Sequence, residues 1–168
     1  MYLKRISAIA VVAIVFTIFA TGVSAQEFTS EHLVRAAKLL EASPYDKNAE
    51  AIRGAAVRYV IDTKDVSVLI CTGDITKPFL EKKNKNSTEL VGQYTIALAA
   101  FKLENPSQKD DEDAAQLAAL ESVLRTYENM IKEKPKTKFA PMDNYIQLRD
   151  KGELKALVEK AACGKKSS

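Results

Sequence analysis

The chain has 168 residues, 25 of them basic, 22 acidic and one a histidine, with a formal net charge of +3. That length is ample for one domain with a buried core, and the near balance of charge gives no field that would draw the protein to nucleic acid or to an anionic membrane. Six scattered glycines form no phosphate-binding loop, and two distant cysteines with a single histidine show none of the short ligand spacings of a zinc site.

The chain opens with Lys4 and Arg5, then an apolar and small-residue run over 6–20, then Thr21-Gly22-Val23-Ser24-Ala25. This three-part order is that of a secretory signal, with Val23 and Ala25 as the small residues a signal peptidase accepts. Residues 1–25 are therefore expected to be a signal peptide cleaved before Gln26, leaving 26–168 as the working domain in a periplasmic or secreted setting. The run is shorter than the roughly 20 residues that span a bilayer, so no stable membrane span is expected after cleavage. Removing 25 of 168 residues leaves 143, and losing Lys4 and Arg5 leaves 23 basic against 22 acidic residues.

From Ser30 onward the pattern is helical. Leu33, Ala36, Ala37 and Leu40 recur at spacings of three and four, and Ser43-Pro44 ends the segment because the residue before proline is pushed out of the helical region. A second helix is expected to follow at once, with Ser43 as N-cap, Pro44 as its first residue, and Ile52, Ala56, Tyr59, Val60 and Thr63 on one face. In "KDVSVLIC", Val66, Val68 and Ile70 alternate with Ser67, Leu69 and Cys71 as in a strand, but the sequence holds no second strand to pair with it. A short buried helical or extended segment is expected instead. A turn at Thr72-Gly73-Asp74 leads into a weakly helical basic connection, "ITKPFLEKKNKNS".

The next two helices are the strongest. Leu90, Tyr94, Ala97, Leu98 and Phe101 share a face, with Ser87 as the expected N-cap and Asn105-Pro106 as the stop. Then Leu117, Leu120, Leu124, Tyr127 and Ile131 form a seam that faces either the core or another chain. Acidic residues 110–113 open this helix and Lys132, Lys134 and Lys136 close it, in keeping with the helix dipole. The "DDED" cluster lacks the spacing, glycine and distal Glu of a calcium loop, so it reads as a solvated helix start. A short helix over 142–150 and a last one over 153–162, burying Leu154, Leu157, Val158 and Ala161, precede a frayed tail at 164–168. No 34-residue period supports tetratricopeptide stacking over a simple bundle. The expected fold is all-α: one helical bundle of five to seven helices.

Candidate chemistry is sparse. His32, beside Glu31, is expected to be an exposed helix residue, since hydrolytic triads need an imidazole held against a nucleophile. The 22 carboxylates give no reason to select a pair for acid–base work. Tyr45, Tyr59, Tyr94, Tyr127 and Tyr145 fall mostly on apolar faces and read as packing residues. Asn86-Ser87-Thr88 matches a glycosylation sequon. In an oxidising compartment, two cysteines and no third favour a Cys71–Cys163 disulfide, with two free thiols or redox or metal chemistry as the alternatives. No cofactor is implied.

An apolar "VSVLIC", a helix with Gly92 and Tyr94, "VLRTYENMIKEKP" and an apolar helix ending at Cys163 together resemble the small all-helical periplasmic immunity proteins that bind and inhibit type VI secretion amidase toxins. The resemblance covers about 66–163. It implies a non-enzymatic protein with a protein partner in the cell envelope, possessing no catalytic residues of its own. Val91 stands where that family has a further cysteine, Gln93 separates Gly92 from Tyr94, and Ala162 replaces a proline before the last cysteine, so no functional residue is carried over. Three readings follow: an exported interaction protein, in its most concrete form an inhibitor of a cell-wall enzyme; a small-ligand carrier with a cavity between helices; and a small carboxylate-dependent hydrolase.

Overall fold

The computed structural model describes residues 27–164. The expected signal peptide and Gln26 after it, and the last four residues of the tail, lie outside the described residues. Seven α-helices and no strand are present among them: α1 (Ser30–Ala42), α2 (Ala49–Asp62), α3 (Lys77–Leu80), α4 (Ser87–Glu104), α5 (Glu112–Glu133), α6 (Ala140–Asp150) and α7 (Leu154–Ala161). Single 3₁₀ turns at Pro106–Gln108 and Pro135–Thr137 lead out of α4 and α5.

The helix α4 is the axis of the bundle and packs against α1, α2, α3 and α5. Its sequence is apolar on more than one face, and accordingly it is buried almost all round. Leu90, Tyr94 and Leu98 face a core shared with α5, while Ile96, Ala99 and Ala100 face a second core with α1 and α2. The second core is built on small residues, with Ala36, Ala37, Ala49 and Ala56 letting helices approach closely around Leu33 and Leu40. The seam of α5 faces inward. Leu120, Leu124 and Tyr127 are fully buried, while Leu117 and Ile131 pack half-buried at its two ends.

Start and stop signals act locally, with two corrections. The helix α2 does not begin at Pro44. The Ser43 amide closes α1 by donating to the Leu39 carbonyl (2.8 Å), Pro44 is buried in the corner, and the Asp46 carboxylate accepts from the Asn48 amide (2.8 Å), so the helix starts only at Ala49. At α4 the cap falls on Asn86, with Ser87 the first helical residue. The "DDED" run does start α5, with the Asp111 side chain accepting from the Ala114 amide (3.0 Å). The last helix is one residue shorter at each end than the expected 153–162: Glu153 is its N-cap, and Ala162, at positive φ like Gly164, ends it.

Cys71 and Cys163 are joined in a disulfide with Cα atoms 5.7 Å apart, and both are buried. The bond fastens the end of α7 to the segment between α2 and α3.

Candidate functional site

The segment that carries Cys71 has the most unusual construction in the molecule. Residues 66–72 form neither helix nor paired strand. Val66 and Val68 are half-buried while Ser67 and Leu69 are exposed, the period of two that extended chain produces, and the order reverses at exposed Ile70 and buried Cys71. The backbone groups follow the same period. Lys102 on α4 donates to the Ser67 carbonyl (3.2 Å), Gln116 on α5 donates to the Leu69 carbonyl (2.8 Å), and the Cys71 backbone faces the Tyr94 hydroxyl. Side chains thus stand in for a neighbouring strand along one edge.

The opposite edge is open. Among the described residues no hydrogen bond engages the backbone N–H or C=O of Val66, Val68, Ile70 or Thr72. Leu69 and Ile70 remain 39% and 44% exposed, so the expectation of a buried segment is corrected: its edge and two large apolar side chains are at the surface. The reason is physical. A helix satisfies its own amides and can be buried whole, whereas an extended segment without a second strand must leave one edge to water.

The groups that hold the inner edge are themselves anchored. Gln116 is fully buried and accepts from the Tyr94 hydroxyl while donating to Leu69. Burial pushes the Tyr94 phenol well above its usual value, the Cys71 backbone partly opposes this, and Glu112 adds to it. Lys102 is buried and pairs with Glu112 (2.5 Å) at the first turn of α5. Glu112 is therefore drawn inward rather than solvated, which corrects the reading of "DDED" at that residue. A cleft of about 400 Å³ lies between the segment and these helices, lined by Lys64, Asp65, Lys102, Lys109, Asp110 and Glu112 among others. Lys102 serves there as a tether, its ammonium taken by the Glu112 carboxylate and the Ser67 carbonyl. Asp65 is also engaged, accepting from the Tyr59 hydroxyl (2.7 Å).

The remaining residues singled out in the sequence take structural places. His32 is half-buried, not exposed. It completes a capping box with Thr29, whose amide donates to Nδ1 (3.2 Å), and its ring lies against Phe28 at 5.7 Å. Asn86 of the sequon is buried, and its carbonyl oxygen accepts from the Tyr45 hydroxyl (2.5 Å), a position that leaves no room for a glycan. Tyr94 and Tyr127 are fully buried, and Tyr45, Tyr59 and Tyr145 are half-buried. Among the described residues no group of three His, Cys, Asp or Glu side chains is placed to hold a metal, and no helix is long and apolar enough to cross a membrane. An open groove of about 320 Å³ between α1 and α2 is lined by Phe28, His32, Arg35, Ala36, Leu39 and Ile52.

Sequence reasoning missed Lys102 and Gln116, although a signal was present. Lys102 continues the stripe of Leu90, Tyr94 and Leu98 at intervals of four, and Gln116 precedes Leu120 by four on the seam of α5. A polar residue on an apolar stripe must find a buried partner. Here both partners are carbonyls of the extended segment. No protein-family model, no curated protein and no solved structure matches this chain.

Proposed function

We propose that this is an exported, non-enzymatic protein that works by binding another protein through residues 66–72, with inhibition of a cell-wall enzyme as the most concrete form of that role. The observation that supports it is the open backbone edge of Val66, Val68 and Ile70 beside exposed Leu69 and Ile70. Such an edge offers main-chain hydrogen bonds for affinity and alternating side chains for specificity, the requirements for adding a partner's extended segment. The disulfide at Cys71 and the Lys102 and Gln116 tethers pre-organise it, which lowers the ordering entropy of association.

The test starts with affinity capture from envelope extract on the oxidised chain, followed by calorimetry with the purified partner. Ile70→Lys is expected to abolish binding while Ile61→Lys, at a still more exposed apolar residue of α2, leaves it intact. Recovery of a lipid or metabolite and no protein would replace this reading with that of a carrier using the groove between α1 and α2.

A further inference from the structure

The open edge is complementary to itself. Lys64 and Asp74, in the bend and the turn two residues beyond its ends, are both exposed, and neither side chain has an ion-pair or hydrogen-bond partner among the described residues. In an antiparallel pair, the residues that exchange hydrogen bonds must be those whose backbone groups face outward, here Val66, Val68, Ile70 and Thr72. Three registers set such residues opposite one another near the middle of the segment. One puts Val68 opposite Ile70, Val66 opposite Thr72 and Leu69 opposite Leu69, and it alone sets Lys64 against Asp74. Shifting by two residues either way faces Lys64 with Thr72 or Thr76 instead.

We propose that a second copy of this chain occupies the open edge, giving a two-fold symmetric dimer in which residues 66–72 of the two copies run antiparallel with Leu69 on the axis. The proposal rests on the reading of this segment as a docking edge and names what covers it when the partner is absent, so that dimer and partner complex exclude one another. Each hydrogen-bonded pair exchanges two N–H···O bonds. The two Leu69 side chains, each 39% exposed in the single chain, cover one another as a non-hydrogen-bonded pair, where side chains approach most closely. Two Lys64–Asp74 contacts, one at each end, fix the register, since a one-residue slip would turn the closed inner groups outward. The interface is isologous and closes on itself, so pairing stops at two copies.

Sedimentation equilibrium of the oxidised chain from Gln26 onward, over micromolar to millimolar concentration, tests this. The expected result is a monomer–dimer equilibrium. Lys64→Asp and Asp74→Lys should each raise the dissociation constant by about fivefold to tenfold, and the double variant should restore it, as two opposite-charge contacts per interface require. Deuterium uptake at the Val68 and Ile70 amides should fall as concentration rises, a readout that needs no variant. A monomer throughout, or a dimer indifferent to both charge reversals, overturns the proposal. A monomer that still needs Ile70 for partner binding removes the dimer alone. A monomer whose partner binding ignores Ile70 removes the docking edge as well.

Discussion

The central helix α4 and residues 66–72 are both apolar runs, yet they end in opposite situations. The helix pairs its backbone internally, so Ile96, Leu98 and Ala99 can vanish into two cores at once. The extended segment cannot do this. It borrows side chains from α4 and α5 for its inner edge and leaves the outer edge in water. The difference lies in the backbone: the helix meets its hydrogen-bonding need in full, whereas the fold meets that of the extended segment only by half. The helical body supplies rigidity, and the strap supplies unfinished hydrogen bonding.

The largest way to break the contrast is to cut the strap's covalent anchor. Replacing Cys71 and Cys163 by Ser releases a loop of 92 residues, and loop entropy puts the loss at about 4–5 kcal/mol. Denaturant titration should show the midpoint fall with α7 fraying first. Next comes Gln116→Leu, which keeps approximate volume but strands the Tyr94 hydroxyl and the Leu69 carbonyl. An expected loss of about 2–3 kcal/mol follows from two unsatisfied buried groups. Lys102 and the disulfide should hold the segment in place while its mobility rises.

Alkaline pH acts on the helical body instead. Burial pushes the Tyr127 phenol up to about 12, the Phe139 backbone works against this, and Asp143 adds to it. Because the folded state keeps that proton above the ordinary value near 10, its contribution is whole below pH 10 and is lost as pH climbs from 10 to 12. Tyrosinate absorbance and helical dichroism should therefore change together over that window for the buried phenols. A smaller effect is expected at Gly92, where an added Cβ would meet Arg53 Cδ at 2.5 Å and Cγ at 2.9 Å. Gly92→Ala should cost about 1 kcal/mol alone, overpacking outweighing improved helix propensity. In an Arg53→Ala background the same change should stabilise α4 by about 1 kcal/mol. The smallest stability effect belongs to Ile70→Lys, within about 0.5 kcal/mol for an exposed position, although it should abolish partner binding.

Much of this was legible in the residues. Leu33, Ala36, Ala37 and Leu40 on α1, and Leu120, Leu124 and Tyr127 on α5, are buried as their spacing requires. The cysteines paired across the distance that export chemistry suggested. Ser43-Pro44 was ambiguous because the same dipeptide can close one helix or open the next; here it closes α1, and the Pro44 carbonyl accepts from the Arg53 guanidinium (3.2 Å). The alternation in "VSVLIC" was a true signal of extended chain whose usual partner, a second strand, is replaced by Lys102 and Gln116. Those two lie 35 and 47 residues from the carbonyls they bind, and periodicity describes only the face a residue occupies, not what meets it there.

Residue-resolved hydrogen exchange of the oxidised chain at low micromolar concentration tests the central claim most directly. The Val66, Val68 and Ile70 amides are expected to exchange at nearly unprotected rates, while those of Ile96, Leu98 and Ala99 in α4 exchange only through global unfolding. Protection of Val68 and Ile70 at the level of α4 under those dilute conditions would contradict it, because the edge would then be closed within the chain itself.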